Sequence, residues 1–220
     1  MSLFENLIRG IHKGILPSPS SELWEVTNTL GWSLAHSAAL LGKINSPNYI
    51  HNFKYWDLKN PDGDTVAHIA ARNTTFPNDF RYWDLLNGKG QSVAYISMIN
   101  QTIPKNFSHW DVLNDNGNTI AHEAVLMNCL PKDFAAWEIT NTNGITVAEF
   151  CYNCNLLPQG KTFMHVYSSA LDKNLKVFIC DLEEPIFYIN GVFFISSSMN
   201  LKDRDEVLKY IERTLMWGIV

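Results

Sequence analysis

The sequence predicts a mostly α-helical protein built as a helical-repeat solenoid, closed by a small C-terminal α/β segment. Three observations carry this expectation. Trp56, Trp83, Trp110 and Trp137 are separated by steps of 27 residues, and Gly63, Gly90, Gly117 and Gly144 keep the same step. Each interval holds a short helical pattern opened by Ser or Thr. After Pro158 the pattern stops and strand formers replace it. A fixed period of this size marks stacked units, none of which buries enough apolar surface to fold alone.

Residues 1–22 open with "MSLFENLIRGIHKGILPSPSS", where Glu5, Arg9 and Lys13 interrupt the apolar pattern. That is an amphipathic capping helix rather than the unbroken apolar core of a signal peptide. Five repeats occupy residues 23–160. The first, from Leu23, is 32 residues long, with five extra residues near Ser46 to Ile50. The others read "YWDLKNPDGDTVAHIAARNTTFPNDFR", "YWDLLNGKGQSVAYISMINQTIPKNFS", "HWDVLNDNGNTIAHEAVLMNCLPKDFA" and "AWEITNTNGITVAEFCYNCNLLPQGKT".

In these four repeats a glycine-bearing turn leads to Thr65, Ser92, Thr119 or Thr146, each placed to cap a short first helix. Pro77, Pro104 and Pro131 then predict a second helix, in which Phe80 and Trp83 share a face and Leu86 lies one turn on. Asn60, Asn87, Asn114 and Asn141 fall where the chain reverses, a role suited to a side chain that bonds its own backbone and tolerates αL. Ala67, Ala70, Ala94, Ala121, Ala124 and Ala148 let helices approach closely. One indole per repeat at a fixed place reads as inter-repeat core, not as an aromatic binding stripe.

Residues 161–220 form the α/β segment. "LKVFICDL" and "PIFYINGVFFIS" read as strands, and Asn190-Gly191 predicts a two-residue hairpin between Ile186–Ile189 and Val192–Ile195. Leu201, Val207, Leu208, Ile211 and Leu215 recur at helical spacing. Covering the last apolar face of a solenoid is the structural role of such a segment. The functional role is an activity of its own, or pairing through its apolar edge, with a homodimer formed along Phe187 to Phe194.

The string "WDLKNPDGDTVAHIAA" resembles the ankyrin repeat, whose pattern runs through an asparagine and a glycine into Thr-Pro-Leu-His and paired alanines. Thr65, His68, Ala70 and Ala71 fit it, as do Thr119, His122 and Ala124, and Ser33, His36 and Ala38, over about residues 23–158. Val66, Val93, Ile120 and Val147 replace the family's proline. The repeat is also shorter than the usual ~33 residues, and the missing length falls where that family builds its projecting hairpin. The resemblance implies an ankyrin-like stack with stubby turns, and histidines that bond backbone between adjacent turns. It further implies a protein-binding role, often that of a viral or bacterial interference factor blocking a host protein.

Composition and motifs narrow the chemistry. Seventeen basic and 22 acidic residues are spread without blocks, against a nucleic-acid surface. The uncharged run from Pro185 to Leu201 is shorter than the ~20 residues of a membrane span. The four cysteines follow no disulfide framework, as expected in a reducing, cytoplasmic setting. Cys151-x-x-Cys154 has two sulfurs on one helix face, but zinc needs two more ligands, with Cys129 and His165 the nearest in sequence. His36, His68 and His122 share a repeat position, yet their equivalents are Tyr95 and Glu149, so they are no catalytic set. No phosphate loop, nucleophile elbow or zincin pair occurs, so no enzyme, metal or cofactor is expected.

The expected function is therefore a protein-protein interaction module that binds and blocks or scaffolds a macromolecular partner. Core positions repeat while the turns "PDGD", "GKGQ", "DNGN" and "TNGI" vary, so contact is expected at Asp62, Asp64, Lys89, Gln91, Asp115 and Asn118, with Leu86, Leu113, Lys105 and Lys132. The alternative is a solenoid carrying a small catalytic or toxin-like C-terminal domain, with His165, Asp172 and Glu184 as its scattered polar candidates.

Overall fold

The computed structural model describes residues 2–159, 161–168, 173–179, 186–189 and 192–195, with Lys209 and Arg213. Helix predominates among them. The helices are α1 (Leu3–His12), α2 (Leu34–Leu40), α3 (Pro47–Asn52), α4 (Val66–Ala71), α5 (Val93–Ile99), α6 (Ile120–Leu126) and α7 (Val147–Asn153), with a 3-10 turn at Glu22–Glu25. Four strands follow: β1 (Thr162–Ser168), β2 (Lys173–Ile179), β3 (Ile186–Ile189) and β4 (Val192–Ile195). The chain divides into two compact units, residues 1–129 and 130–220. No helix among the described residues is long and apolar enough to cross a membrane.

In residues 1–129, α1 starts with a capping box in which Ser2 and Glu5 satisfy each other's backbone amides. Its Ile11 is buried, and α1 packs on α2. Helix α2 packs on α4, α4 on α5, and α5 on α6. Each repeat helix is only six or seven residues long, too short to be stable by propensity. Its start is instead satisfied bond by bond. In α4 the third amide, of His68, donates to the Thr65 hydroxyl at 3.3 Å. The first two, of Val66 and Ala67, donate to the carbonyls of Leu58 and Trp56, both at 3.0 Å. Val93 and Ala94 use Leu85 and Trp83 in the same way, and Ile120 and Ala121 use Val112 and Trp110.

That pattern corrects the expected second helix. Pro77 and Pro104 open tight turns, closed by Phe80 N–H to the Pro77 carbonyl at 3.0 Å and Phe107 N–H to the Pro104 carbonyl at 3.1 Å, and the chain then runs through Trp83 and Trp110 without forming α-helix. The reason is competition for acceptors. A helix running to Asn87 would need the Trp83 carbonyl for its own amide four residues on, but that carbonyl accepts from Ala94 of α5. Leu86 accordingly leaves the apolar face: it is 37% exposed and bridges Ser92. Among the described residues only the first repeat has a helix in this region, α3, which overlaps its five extra residues.

The indoles are core. Trp24 and Trp56 are fully buried, Trp83 and Trp110 nearly so. They alternate with phenylalanines in an edge-to-face ladder: Phe53 lies 5.3 Å from Trp24 and 5.0 Å from Trp56, Phe76 5.4 Å from Trp56 and 5.9 Å from Trp83, and Phe107 5.0 Å from both Trp83 and Trp110. Such pairs add about 0.5–1.5 kcal/mol each beyond the area they bury.

In residues 130–220, α7 is started like the others, with Val147 and Ala148 donating to Ile139 and Trp137. The strands form one antiparallel sheet in the order β1-β2-β3-β4. Ile189 pairs with Val192, the register of the two-residue hairpin read from Asn190-Gly191. Strand β1 was not among the expected strands; its Thr, Met and His blur the alternation. Phe178 lies 5.1 Å from Trp137 and Phe163 lies 5.2 Å from Tyr152, while Lys176 pairs with Glu149 at 2.7 Å. β1 and β2 thus contact the last repeat. The expected helix between Leu201 and Leu215 falls outside the described residues, except for Lys209 and Arg213, which are helical.

Candidate partner-binding site

The turns after Asn60, Asn87 and Asn141 are each organised by that asparagine. Asn60 Oδ1 accepts the amides of Asp62 and Asp64 at 3.1 and 2.9 Å, and Asn87 Oδ1 those of Lys89 and Gln91, both at 3.0 Å. The left-handed position belongs to the glycine, with Gly63 at φ 80° and Gly90 at φ 69°, and not to the asparagine. That part of the expected asparagine role is corrected; the αL asparagines are Asn128 and Asn155, just past α6 and α7. Asn114 differs again, its Oδ1 accepting the Ser92 amide of the preceding repeat at 2.8 Å.

Successive turns touch backbone to backbone. Gly88 N–H donates to the Gly63 carbonyl at 3.1 Å and Asp115 N–H to the Gly90 carbonyl at 3.0 Å. This row brings Asp62, Asp64, Lys89, Gln91, Asp115 and Asn118 together along residues 1–129, with Leu86 and Leu113 (37% and 43% exposed) immediately before their turns. The six do not share one role. Asp64 is paired with Arg72 at 2.7 Å and accepts Asn87 Nδ2 at 2.8 Å. Gln91 Oε1 accepts Asn87 Nδ2 at 3.3 Å, and Asn118 Nδ2 donates to the buried Glu123 at 3.2 Å. Asp62, Lys89 and Asp115 are exposed. Lys105 sits on the Pro104–Phe107 turn, outside the row, and Lys132 belongs to the second unit.

The repeated histidines lie behind this row. Ser33, Thr65 and Thr119 hydroxyls each sit 2.7 Å from Nδ1 of His36, His68 and His122. His68 Nε2 lies 2.9 Å from the Gln91 carbonyl of the next repeat. A carbonyl only accepts, so Nε2 carries the proton and Nδ1 accepts from Thr65, a neutral tautomer used up by structure. His36 Nε2 meets no partner in bonding geometry, although the Asp64 carbonyl is near enough to raise its pKa.

Neither a known family model nor a curated relative matches the chain.

Burial lowers the pKa of both His36 and His68 below 6.5, and nearby carbonyls, Asp64 for His36 and Gln91 for His68, offset this only in part. The unfolded chain therefore protonates first, so stability is full above pH 6.5 and declines as pH falls from there through the folded-state values. The denaturant midpoint of the full chain is expected to be lower at pH 5.0 than at pH 7.5, with His68→Gln reducing the difference. An equal difference in H68Q would remove His68 as a cause.

Among the described residues the Cys-x-x-Cys pair joins no group of metal-ligating side chains. Cys151 is buried and its thiol is pushed up to about 12 by desolvation and by Cys154, while Cys129 is exposed and lies in the other unit. No group of three or more metal-ligating side chains occurs among the described residues. His165 is on β1; its side chain, together with Asp172, Cys180 and Glu184, lies outside the described residues.

One feature escaped the sequence reading. Asn78 ties three repeats together: its Oδ1 accepts the Ser108 amide at 2.8 Å, its Nδ2 donates to Ser108 Oγ at 2.8 Å, and its carbonyl accepts His109 Nε2 at 2.7 Å and Trp83 Nε1 at 3.2 Å. Beside this tie is an open groove of ≈ 460 Å³ lined by Phe80, Trp83 and Val112 together with Asp79, Arg81, Asp84, His109 and Asp111. The signal was present in the repeats: an acidic residue follows every repeated tryptophan, at Glu25, Asp57, Asp84, Asp111 and Glu138.

Proposed function

We propose that residues 23–158 act as an ankyrin-like solenoid that binds a protein partner and blocks or scaffolds it, with the turn row of residues 1–129 as the contact surface. One observation carries this reading. The row's backbone is fixed from repeat to repeat by the Gly88–Gly63 and Asp115–Gly90 bonds, while Asp62, Lys89 and Asp115 side chains make no hydrogen bond or ion pair among the described residues. A surface held rigid by its main chain loses little entropy when variable side chains engage a partner.

The test is affinity capture from a cell extract with the full chain and with a triple variant, Asp62→Lys, Lys89→Glu and Asp115→Lys. Partner recovery is expected to drop at least tenfold, with the melting temperature changed by no more than about 2 °C, because exposed charges contribute little to folding. Equal recovery by the triple variant would move the interface off the turn row.

A further inference from the structure

We propose that Asn143 is a modification site: the Gly144 nitrogen attacks its side-chain amide, which is replaced by a carboxylate with water as the only co-reactant. Asn-Gly is the dipeptide most open to this ring closure, because glycine has no Cβ to obstruct the attacking nitrogen. Among the described residues it occurs at Asn87-Gly88, Asn116-Gly117 and Asn143-Gly144. The fold holds the first two side chains and leaves the third. Asn87 is buried, its Oδ1 accepts the Lys89 and Gln91 amides, and its Nδ2 donates to Asp64 and Gln91. Asn116 is exposed but tied at both ends: its Oδ1 accepts the Asn118 amide at 2.9 Å and its Nδ2 donates to Glu123 at 2.8 Å. Asn143 is also exposed. Its backbone amide donates to Asn141 Oδ1 at 3.0 Å, but its side chain makes no hydrogen bond among the described residues.

Asn116 and Asn143 make a matched pair. Each precedes a left-handed glycine, at φ 82° and 71°, whose amide donates to the carbonyl of Asn114 or Asn141. That bond must open in both before the nitrogen can turn on the side chain, so the difference rests with the side-chain bonds, one of them to a carboxylate. A Cβ built at Gly144 meets nothing within 4 Å, so the turn has room to move. The Gly144 nitrogen gives its proton to solvent and bonds Asn143 Cγ, closing a cyclic imide as the Cγ–Nδ2 bond breaks and ammonia leaves. Water then opens the ring. Cleavage at Cγ leaves aspartate; cleavage at the main-chain carbonyl leaves isoaspartate, with the chain routed through the side-chain methylene. Position 143 is the one that Asp62 and Lys89 hold in earlier turns, so the aspartate product gives the last repeat the residue the second carries. Conversion needs neither a partner nor an enzyme.

Ageing the full chain in mildly alkaline buffer tests this, with samples taken over time, digested under acidic conditions that halt the reaction, and sequenced by mass spectrometry. Asn143 is expected to convert about tenfold faster than Asn116 and Asn87, whose amides must first be freed from their partners. In concentrated urea the three rates should converge, because the bonds that separate them are gone. No substitution is needed, so a variant that fails to fold cannot blur the result. Asn116 or Asn87 converting as fast as Asn143 in the folded chain would overturn the assignment. So would an Asn143 that stays intact in buffer over the time in which the urea-treated chain converts. Either outcome leaves the binding module as it stands.

Discussion

Replacing Trp56 with alanine is expected to destabilise residues 1–129 by about 3–5 kcal/mol, the range for emptying a large aromatic site in a packed core. Trp56 is fully buried and meets Phe53, Phe76 and Phe80 edge-on at 5.0–5.4 Å. Removing it breaks the aromatic ladder between Phe53 and Phe76. Trp56→Phe should cost well under half as much. The indole N–H has no hydrogen-bond partner, so phenylalanine gives up volume but no bond. Guanidinium unfolding followed by far-UV circular dichroism measures both. Similar losses in the two variants would mean that the indole N–H is satisfied in solution.

Gly63→Ala is expected to cost more than 2 kcal/mol, against about 1–2 kcal/mol for Gly144→Ala. Both glycines are left-handed, at φ 80° and 71°, so both substitutions carry the same backbone strain. Their surroundings differ. A methyl group at Gly63 would come 2.7 Å from the Gly88 Cα and 2.8 Å from its nitrogen, whereas one at Gly144 meets nothing within 4 Å. Backbone cannot retreat like a side-chain tip, so G63A must also pry Gly88 away from the Gly63 carbonyl it bonds. Equal denaturant midpoints for the two variants would show that the turns do not press together in solution.

What the sequence made legible was local. Thr65, Ser92 and Thr146 cap helices because a hydroxyl before an apolar run has one good use, and the tryptophans are buried because a ring recurring at a fixed step needs a fixed neighbour. The hairpin at Ile189 and Val192 followed from two turn residues. The second helix failed because periodicity cannot report where a carbonyl's partner lies: Phe80 and Trp83 have helical spacing, but the Trp83 oxygen bonds a residue of the next helix. The turn row was visible as variable positions, yet Asp64, Gln91 and Asn118 are held by Arg72, Asn87 and Glu123, pairings 4 to 23 residues apart that no spacing rule marks. The groove was hidden for the opposite reason. Asp84 and Asp111 were so regular, with an acid after every repeated tryptophan, that they read as part of the scaffold.

The bond from the Trp56, Trp83, Trp110 and Trp137 carbonyls to the following helix bears on how such a chain can change length. Insertions between Trp and the glycine turn would pull two acceptors out of reach of the amides they serve. The stretch from the end of one helix to the next tryptophan carries no such obligation, and that is where the first repeat keeps its surplus residues and shapes them into α3. Copying this array in whole 27-residue steps, with growth confined to one seam, preserves every junction.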